Sequence, residues 1–281
     1  MLPFAFNKQS SAASLLLLAT TSTSPFGETV QGLLAQLIQA TEFASHLHYD
    51  LLPETFLFVV ITYLLTVNAL ELGYGRSKRA LALASLKGLR TALLIAGLLY
   101  LLQLYAAFGA TSVLLLDGYL VSGTYTAAMK FVVLLTALFI VYASGRYVRQ
   151  HTRHLLEYPL MLGLAVLFML LLVSANHLIS AFLALVGFSL NLYVLILFDA
   201  PNRAAREAGV KYYYLSTFSG GLILYGFFLL YMLTRAGHFD LIAEYFSTIP
   251  LNETATFLPI LSVSLFLTGL FFKLSAFPGH L

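Results

Sequence analysis

The sequence predicts an all-α polytopic membrane protein of about seven transmembrane helices, the last of them broken. Three observations predict it. Of 281 residues, 60% are hydrophobic and only 10% charged, with a mean hydropathy of +0.88, whereas soluble domains carry about a quarter charged residues. The apolar residues fall in long, separate runs rather than in the alternation of a barrel. Lysine and arginine are also sorted by loop, as in proteins oriented by the positive-inside rule.

The first 54 residues read as an N-terminal extension. Residues 1–27 are rich in Ser and Thr and hold Lys8, with no acid before Glu28. That composition is like an import presequence, apart from its lack of arginine. The run LLLL at 15–18 is too short to span. In VQGLLAQLIQATEFASHL, helical spacing puts Val30, Leu33, Leu34, Leu37 and Ile38 on one face, the pattern of an interfacial amphipathic helix or of one packed on a partner. His46 and His48 lie two apart and would face different ways on a helix, so they make no metal pair.

Seven apolar runs follow, at 55–73, 89–109, 126–143, 158–175, 177–199, 212–235 and 256–281. Each is near the ~20 residues a bilayer needs. Only the turn SAN at 174–176 separates the fourth from the fifth. Basic residues alternate with the loops. Arg76, Lys78, Arg79, Lys87 and Arg90 follow the first run, Arg146, Arg149 and Arg153 the third, and Arg203 and Arg206 the fifth. The loops after the second and fourth runs hold none, and that after the sixth only Arg235. The N-terminus is therefore expected to face outward.

A charge at the centre of a span costs on the order of 3 kcal/mol on insertion scales, so each one needs a reason. Lys130, Lys87 and Arg90 lie close to span ends and are expected to snorkel. Lys211 opens the sixth run one turn after Glu207, and i, i+4 pairing would explain it structurally. Lys273 is harder to explain. About seventeen residues of span precede it, and Pro278 with Gly279 would break the helix just beyond. Such a break is tolerated at membrane depth only where it is buried in protein or lines a wet cavity, and transporters use it for ion paths. The alternative is a short last span whose lysine lies at the inner surface.

Cysteine is absent, which excludes disulfides, iron–sulfur ligation and thiolate zinc sites. The net charge of +3 is small and sorted by loop, so no nucleic-acid partner is expected. No G-x-G-x-x-G fingerprint for a dinucleotide is present.

EAGVKYYYLSTFSGGLILYGFFLLY at 207–231 resembles the sixth helix of the subunit 2 family of respiratory complex I, the NADH:quinone oxidoreductase. FLALVGFSLNLYVL at 182–195 is similar to that family's fifth helix, and FFKLSAFPGHL at 271–281 to its broken seventh, with lysine, proline and histidine in order. The resemblance covers residues 157–281, and antiporter and hydrogenase subunits are the nearest alternatives. It implies that Lys211 and Lys273 line a hydrated proton path. Lysine suits that work because desolvation can lower its pKa enough to exchange protons. His280 would connect the path to the inner side, Glu157 would be an acid at a helix entrance, and Pro278 would shape the break.

The resemblance further implies an energy-coupling subunit without a redox site of its own. NADH, FMN, iron–sulfur clusters and quinone would be bound by other subunits, and lipids and the other membrane-arm subunits would be its partners. Two departures stand out. Val186 occupies the place of a family glutamate, and Ser189 and Asn191 nearby are polar but do not ionise. The family also continues through further helices, whereas Leu281 is the last residue here. The expectation is a split subunit whose remainder is a second polypeptide, in the mitochondrial inner membrane with its N-terminus in the intermembrane space. The competing reading is a scaffold subunit with a weakened or silent channel. A stand-alone transporter fits poorly, because seven spans ending in a half-helix make an incomplete bundle.

Overall fold

The computed structural model describes residues 51–73, 78–106, 112–150, 157–198, 202–248 and 253–274, all within one unit, Leu51–Leu281. The amphipathic segment, His46, His48, Pro278, Gly279 and His280 lie outside the described residues.

The chain is an all-α polytopic membrane protein. Its helices are α1 (Leu52–Gly73), α2 (Lys78–Ala106), α3 (Thr124–Gln150), α4 (Glu157–Ser174), α5 (Leu178–Leu197), α6 (Arg203–Thr234), α7 (Phe239–Thr248) and α8 (Glu253–Lys273). Among the described residues, five helices are long and apolar enough to cross a membrane: those within α2, α3, α4, α5 and α6. Shorter apolar stretches, Leu52–Asn68 and Phe257–Lys273, fall in α1 and α8. These seven elements match the seven apolar runs.

Several boundaries differ from the hydropathy reading, for a common reason. Backbone hydrogen bonding continues past the point where the side chains turn polar. α2 starts at Lys78, so Lys87 and Arg90 stand on the helix instead of in a loop. α6 starts at Arg203, capped by the Asn202 side chain, which accepts from the Ala204 amide at 3.0 Å. Lys211 is therefore two turns inside α6. In α1, Pro53 and Glu54 occupy the first turn, where a missing amide costs nothing and an acid suits the helix dipole.

Two elements were not expected. One is a hairpin of β1 (Val113–Leu115) and β2 (Leu120–Ser122), antiparallel with Leu115 opposite Leu120. Its turn needs three consecutive positive φ angles, at Leu116, Asp117 and Gly118, and the Asp-Gly pair accommodates this. The other is α7, a single amphipathic helix after α6. Isolated bridges join Leu120 to Ala175 and His177 to His238, tying the hairpin, the α4–α5 turn and the α6–α7 turn together.

The helices enclose two apolar cores. Leu57, Leu89, Tyr100, Leu134 and Leu170 belong to the first, built by α1 to α4. Leu178, Ile223, Phe227, Leu230 and Ile242 belong to the second, built by α5 to α7 with Phe266 and Leu270 of α8 packed on it. α6 and α8 lie backbone to backbone. A Cβ on Gly226 would come within 2.8 Å of the Phe266 amide nitrogen, and one on Gly269 within 2.9 Å of the Ser219 carbonyl oxygen. Small residues at such crossings let helices gain dispersion contact that lipid cannot offer. Many outward side chains are large and apolar, among them Tyr63, Phe139, Tyr214 and Phe271.

Candidate functional site: the Lys273 cavity

The close α6–α8 crossing brings the end of α8 against α5. A cavity of about 310 Å³ opens between the three helices. Its walls include Val186 and Ser189 of α5, Tyr212, Ser216 and Thr217 of α6, and Lys273 of α8. Gly220 and Gly221 help to form it, since a Cβ at either would meet nothing within 4 Å. Among the described residues, no carboxylate lines it.

Lys273 is half-buried, and its Nζ donates to the Leu185 carbonyl oxygen at 3.2 Å. Ser189 Oγ donates to the same carbonyl at 2.7 Å. Lysine and serine thus meet on one backbone oxygen of α5. Tyr212, half-buried, lines the same cavity as Ser189 and Ser216. Tyr193 and Tyr213 also line it, with ring centroids 5.3 Å apart. A lysine, a carbonyl and several hydroxyls around open space can hold water, because such a site offers water the two to four polar partners it needs.

The remaining residues singled out by the sequence are elsewhere. Lys211 does not line the cavity. Its side chain is 60% exposed and pairs with Glu207 at 2.8 Å, the i, i+4 arrangement. Asn191 is buried but donates back to the Gly187 carbonyl at 2.8 Å. Glu157 opens α4, where an acid suits the helix dipole, and borders a different cavity with Met161, Val194, Leu197 and Phe198. Lys87 and Arg90 are exposed, with the Arg90 guanidinium 5.1 Å from the centre of the Tyr142 ring.

Lys130 corrects the snorkelling expectation. It is 2% exposed, and its Nζ donates to Glu54 Oε1 at 2.5 Å. It also lies 5.7 Å from the centre of the buried Tyr100 ring. A lysine reaching for water would not be enclosed in this way. The signal in the sequence was a pair: one acid opening the first apolar run and one lysine set inside the third.

His177 was not singled out either. It caps α5, its Nδ1 accepting from the Ile179 amide at 3.1 Å, with Ser180 completing a capping box. Its ring packs on Tyr119 and His238, with centroids 4.5 and 4.8 Å away. Burial and then the neighbouring His238 hold its pKa below the usual histidine value. Among the described residues, no three His, Asp or Glu side chains converge as a metal site would require.

Comparison with known proteins places this geometry. Residues 175–281 match the family model described as NADH:quinone oxidoreductase/Mrp antiporter, TM. The NADH-quinone oxidoreductase subunit N of Parvibaculum lavamentivorans is 37% identical over 164 residues, 58% of this chain and 33% of that protein. Its counterpart from Pelagibacter ubique is 31% identical over 235 residues, 82% of this chain and 45% of that one. A chain of respiratory complex I from Thermus thermophilus with bound aureothin superposes with a TM-score of 0.59 at 26% identity, covering 81% of this chain and 45% of that chain. A chain of the membrane-bound sulfane sulfur reductase, an archaeal respiratory membrane complex, gives 0.66 at 15% identity over 82% and 46%, a likeness of fold alone. The chain spans less than half the length of these relatives. The two subunits named here are bacterial and are called subunit N, whereas the motifs resembled subunit 2. Residues 175–281, which build the whole Lys273 cavity, are thus similar to the transmembrane part of NADH:quinone oxidoreductase and Mrp antiporter proteins.

Proposed function

We propose that this chain is a proton-translocating membrane-arm subunit of a respiratory NADH:quinone oxidoreductase, and that Lys273 is its central proton carrier. One observation supports the reading above others. Lys273, the one amine on the cavity wall among the described residues, stands at the end of an apolar helix, within the segment that matches the family model. An intramembrane lysine facing protein rather than lipid is a functional group by default. Lys211, beside Glu207 on the exposed face of α6, takes the neighbouring position on the path where a membrane-arm partner would cover it. His280 and the Pro278 break would lead the path to the inner side, and Glu157 would stand at a helix entrance. NADH, FMN, iron–sulfur clusters and quinone belong to other subunits, so the chain itself carries no redox step.

The expected setting is the mitochondrial inner membrane, with the N-terminus on the intermembrane-space side and lipids around the apolar face. A second polypeptide supplying the later helices is the expected partner. A native gel in mild detergent, with mass spectrometry of the co-migrating chains, tests this setting. Migration apart from NADH-oxidising subunits would end the reading.

The decisive variant is Lys273→Met in the intact complex, reconstituted in sealed vesicles. The expected result is assembly at the normal level with fewer protons moved per electron. A scaffold role is the second reading, favoured by the apolar Val186 and by a cavity wall that holds no carboxylate among the described residues. Unchanged pumping by Lys273→Met would establish the scaffold and sink the first reading.

A further inference from the structure

The groove between α2 and α3 carries two cavities in series. The first, of about 320 Å³, is lined by Leu86, Lys87 and Arg90 of α2 and by Val141, Tyr142 and Gly145 of α3. The second, of about 250 Å³, begins one turn further along α2 and is lined by Leu93, Gly97 and Leu101 with Phe131, Leu134 and Leu138 of α3. Both bridge the same antiparallel pair of helices, so they lie end to end along one groove. Their chemistry differs. Lys87 and Arg90 make the first cationic, and the second is apolar along its whole lining.

Lys87 and Arg90 stand three residues apart, which puts them on one face of α2, and both are exposed. The Arg90 guanidinium lies 5.1 Å from the centre of the Tyr142 ring across the cavity mouth. Among the described residues, neither cation forms an ion pair and no carboxylate lines the cavity. Like charges at this spacing repel, and an anion between them would relieve it. Each cavity also contains a glycine inside a helix, where glycine is less favourable than alanine. A Cβ on Gly97 or Gly145 would meet nothing within 4 Å. Unlike Gly226 and Gly269, these two let no helix come closer; they leave the groove open.

We propose that this groove is a binding site for an anionic phospholipid, with the phosphate between Lys87 and Arg90 and an acyl chain laid over Gly97. The inference needs only that α2 and α3 cross a membrane, and it stands apart from the proton-carrier reading of Lys273.

The guanidinium fork matches two phosphate oxygens at once, and the lysine ammonium adds a point charge. A zwitterionic headgroup brings its own cation to this pair and gains less than a net-negative one, which is why basic pockets between membrane helices select anionic lipids. Lys78, Arg79, Arg146 and Arg149 fall at the same end of the two helices, so the first cavity lies at headgroup depth. Arg90 and Gly97 are seven residues apart, roughly 10 Å along a helix, the span of a glycerol ester and the start of its chain. Buried Leu93 and Leu134 floor the apolar cavity, while exposed Leu98 and Leu135 leave its side open to hydrocarbon. That apolar continuation favours a lipid over an acidic protein segment, which would use the cations and leave the second cavity unfilled.

The test uses the full chain purified in a nonionic detergent. It is titrated in mixed micelles with phosphatidylglycerol or with phosphatidylcholine of the same acyl chains, and native mass spectrometry counts the bound lipid. The first phosphatidylglycerol is expected to bind about tenfold tighter than phosphatidylcholine. That preference should vanish in Lys87→Gln/Arg90→Gln. Gly97→Leu fills the apolar cavity and should weaken phosphatidylglycerol about tenfold with both cations intact. Equal affinity for the two lipids, or a preference that survives the double variant, overturns the site. Displacement by millimolar inorganic phosphate, with normal binding to Gly97→Leu, identifies a free-anion site and overturns the lipid. A carbodiimide cross-link from Lys87 to an acidic residue of another chain in the intact complex overturns it in favour of a protein partner. Should the double variant fail to fold, Lys87→Gln and Arg90→Gln are measured singly, and an unchanged preference in both overturns the proposal equally.

Discussion

Lys130 and Glu54, 76 residues apart in the chain, form an ion pair 2.5 Å long with both side chains almost fully enclosed. Coulomb attraction between two such groups is strong only because water is absent, and the same absence makes either group alone expensive. The pair therefore fastens the start of α1 to α3.

Removing one partner should be much worse than removing both. Lys130→Met or Glu54→Gln leaves an uncompensated buried group and is expected to destabilise the chain by about 3–5 kcal/mol. The double variant Glu54→Gln/Lys130→Met should recover most of that loss. Thermal melting of the detergent-purified protein measures all three. Equal damage from single and double variants would show that packing, not charge pairing, joins these helices.

The α6–α8 crossing tolerates no side chain at its closest points. Gly226→Val would push a Cβ to within 2.8 Å of the Phe266 backbone and should cost about 1–3 kcal/mol as the helices part. Gly97→Ala, where a Cβ meets nothing within 4 Å, should be neutral or slightly stabilising. Limited proteolysis of the two variants gives the comparison.

His177 should make the start of α5 sensitive to acid. Its Nδ1 must be unprotonated to accept from the Ile179 amide. Burial and His238 lower its pKa in the folded state, and Tyr119 and Asp240 are the other titratable groups at this junction. The unfolded chain then binds the proton more readily, so stability is present above the ordinary histidine pKa of about 6.5. It is lost as the pH falls from there through the lowered folded value. Hydrogen exchange at the Ile179 amide should speed up over that window. In His177→Asn, whose amide side chain caps without titrating, the window should disappear.

Lys211 and Glu207 form an exposed pair, and such pairs contribute little to stability. Lys211→Ala should leave the melting temperature of the isolated chain unchanged. Loss of proton transfer by the same variant in the intact complex would mark this face as covered by a partner and part of the path. Unchanged transfer would remove Lys211 from it.

The number and kind of membrane helices were determined by the sequence alone, because burial in hydrocarbon depends on the length and apolarity of each run. Lys273 was legible for the same reason: a charge in an apolar run carries a cost wherever the run packs. The 207–231 and 182–195 motifs were legible through resemblance, and they fall on α6 and α5. Which charges meet was decided by tertiary structure. Lys130 and Lys211 both sit near the ends of apolar runs, yet one is sealed against Glu54 and the other points outward beside Glu207. The difference lies in which helix lies opposite, and no local spacing encodes that. The same holds for the Lys273 cavity. Leu185, Ser189, Tyr212 and Lys273 come from three helices, and they meet only because Gly226 and Gly269 let α6 and α8 approach so closely.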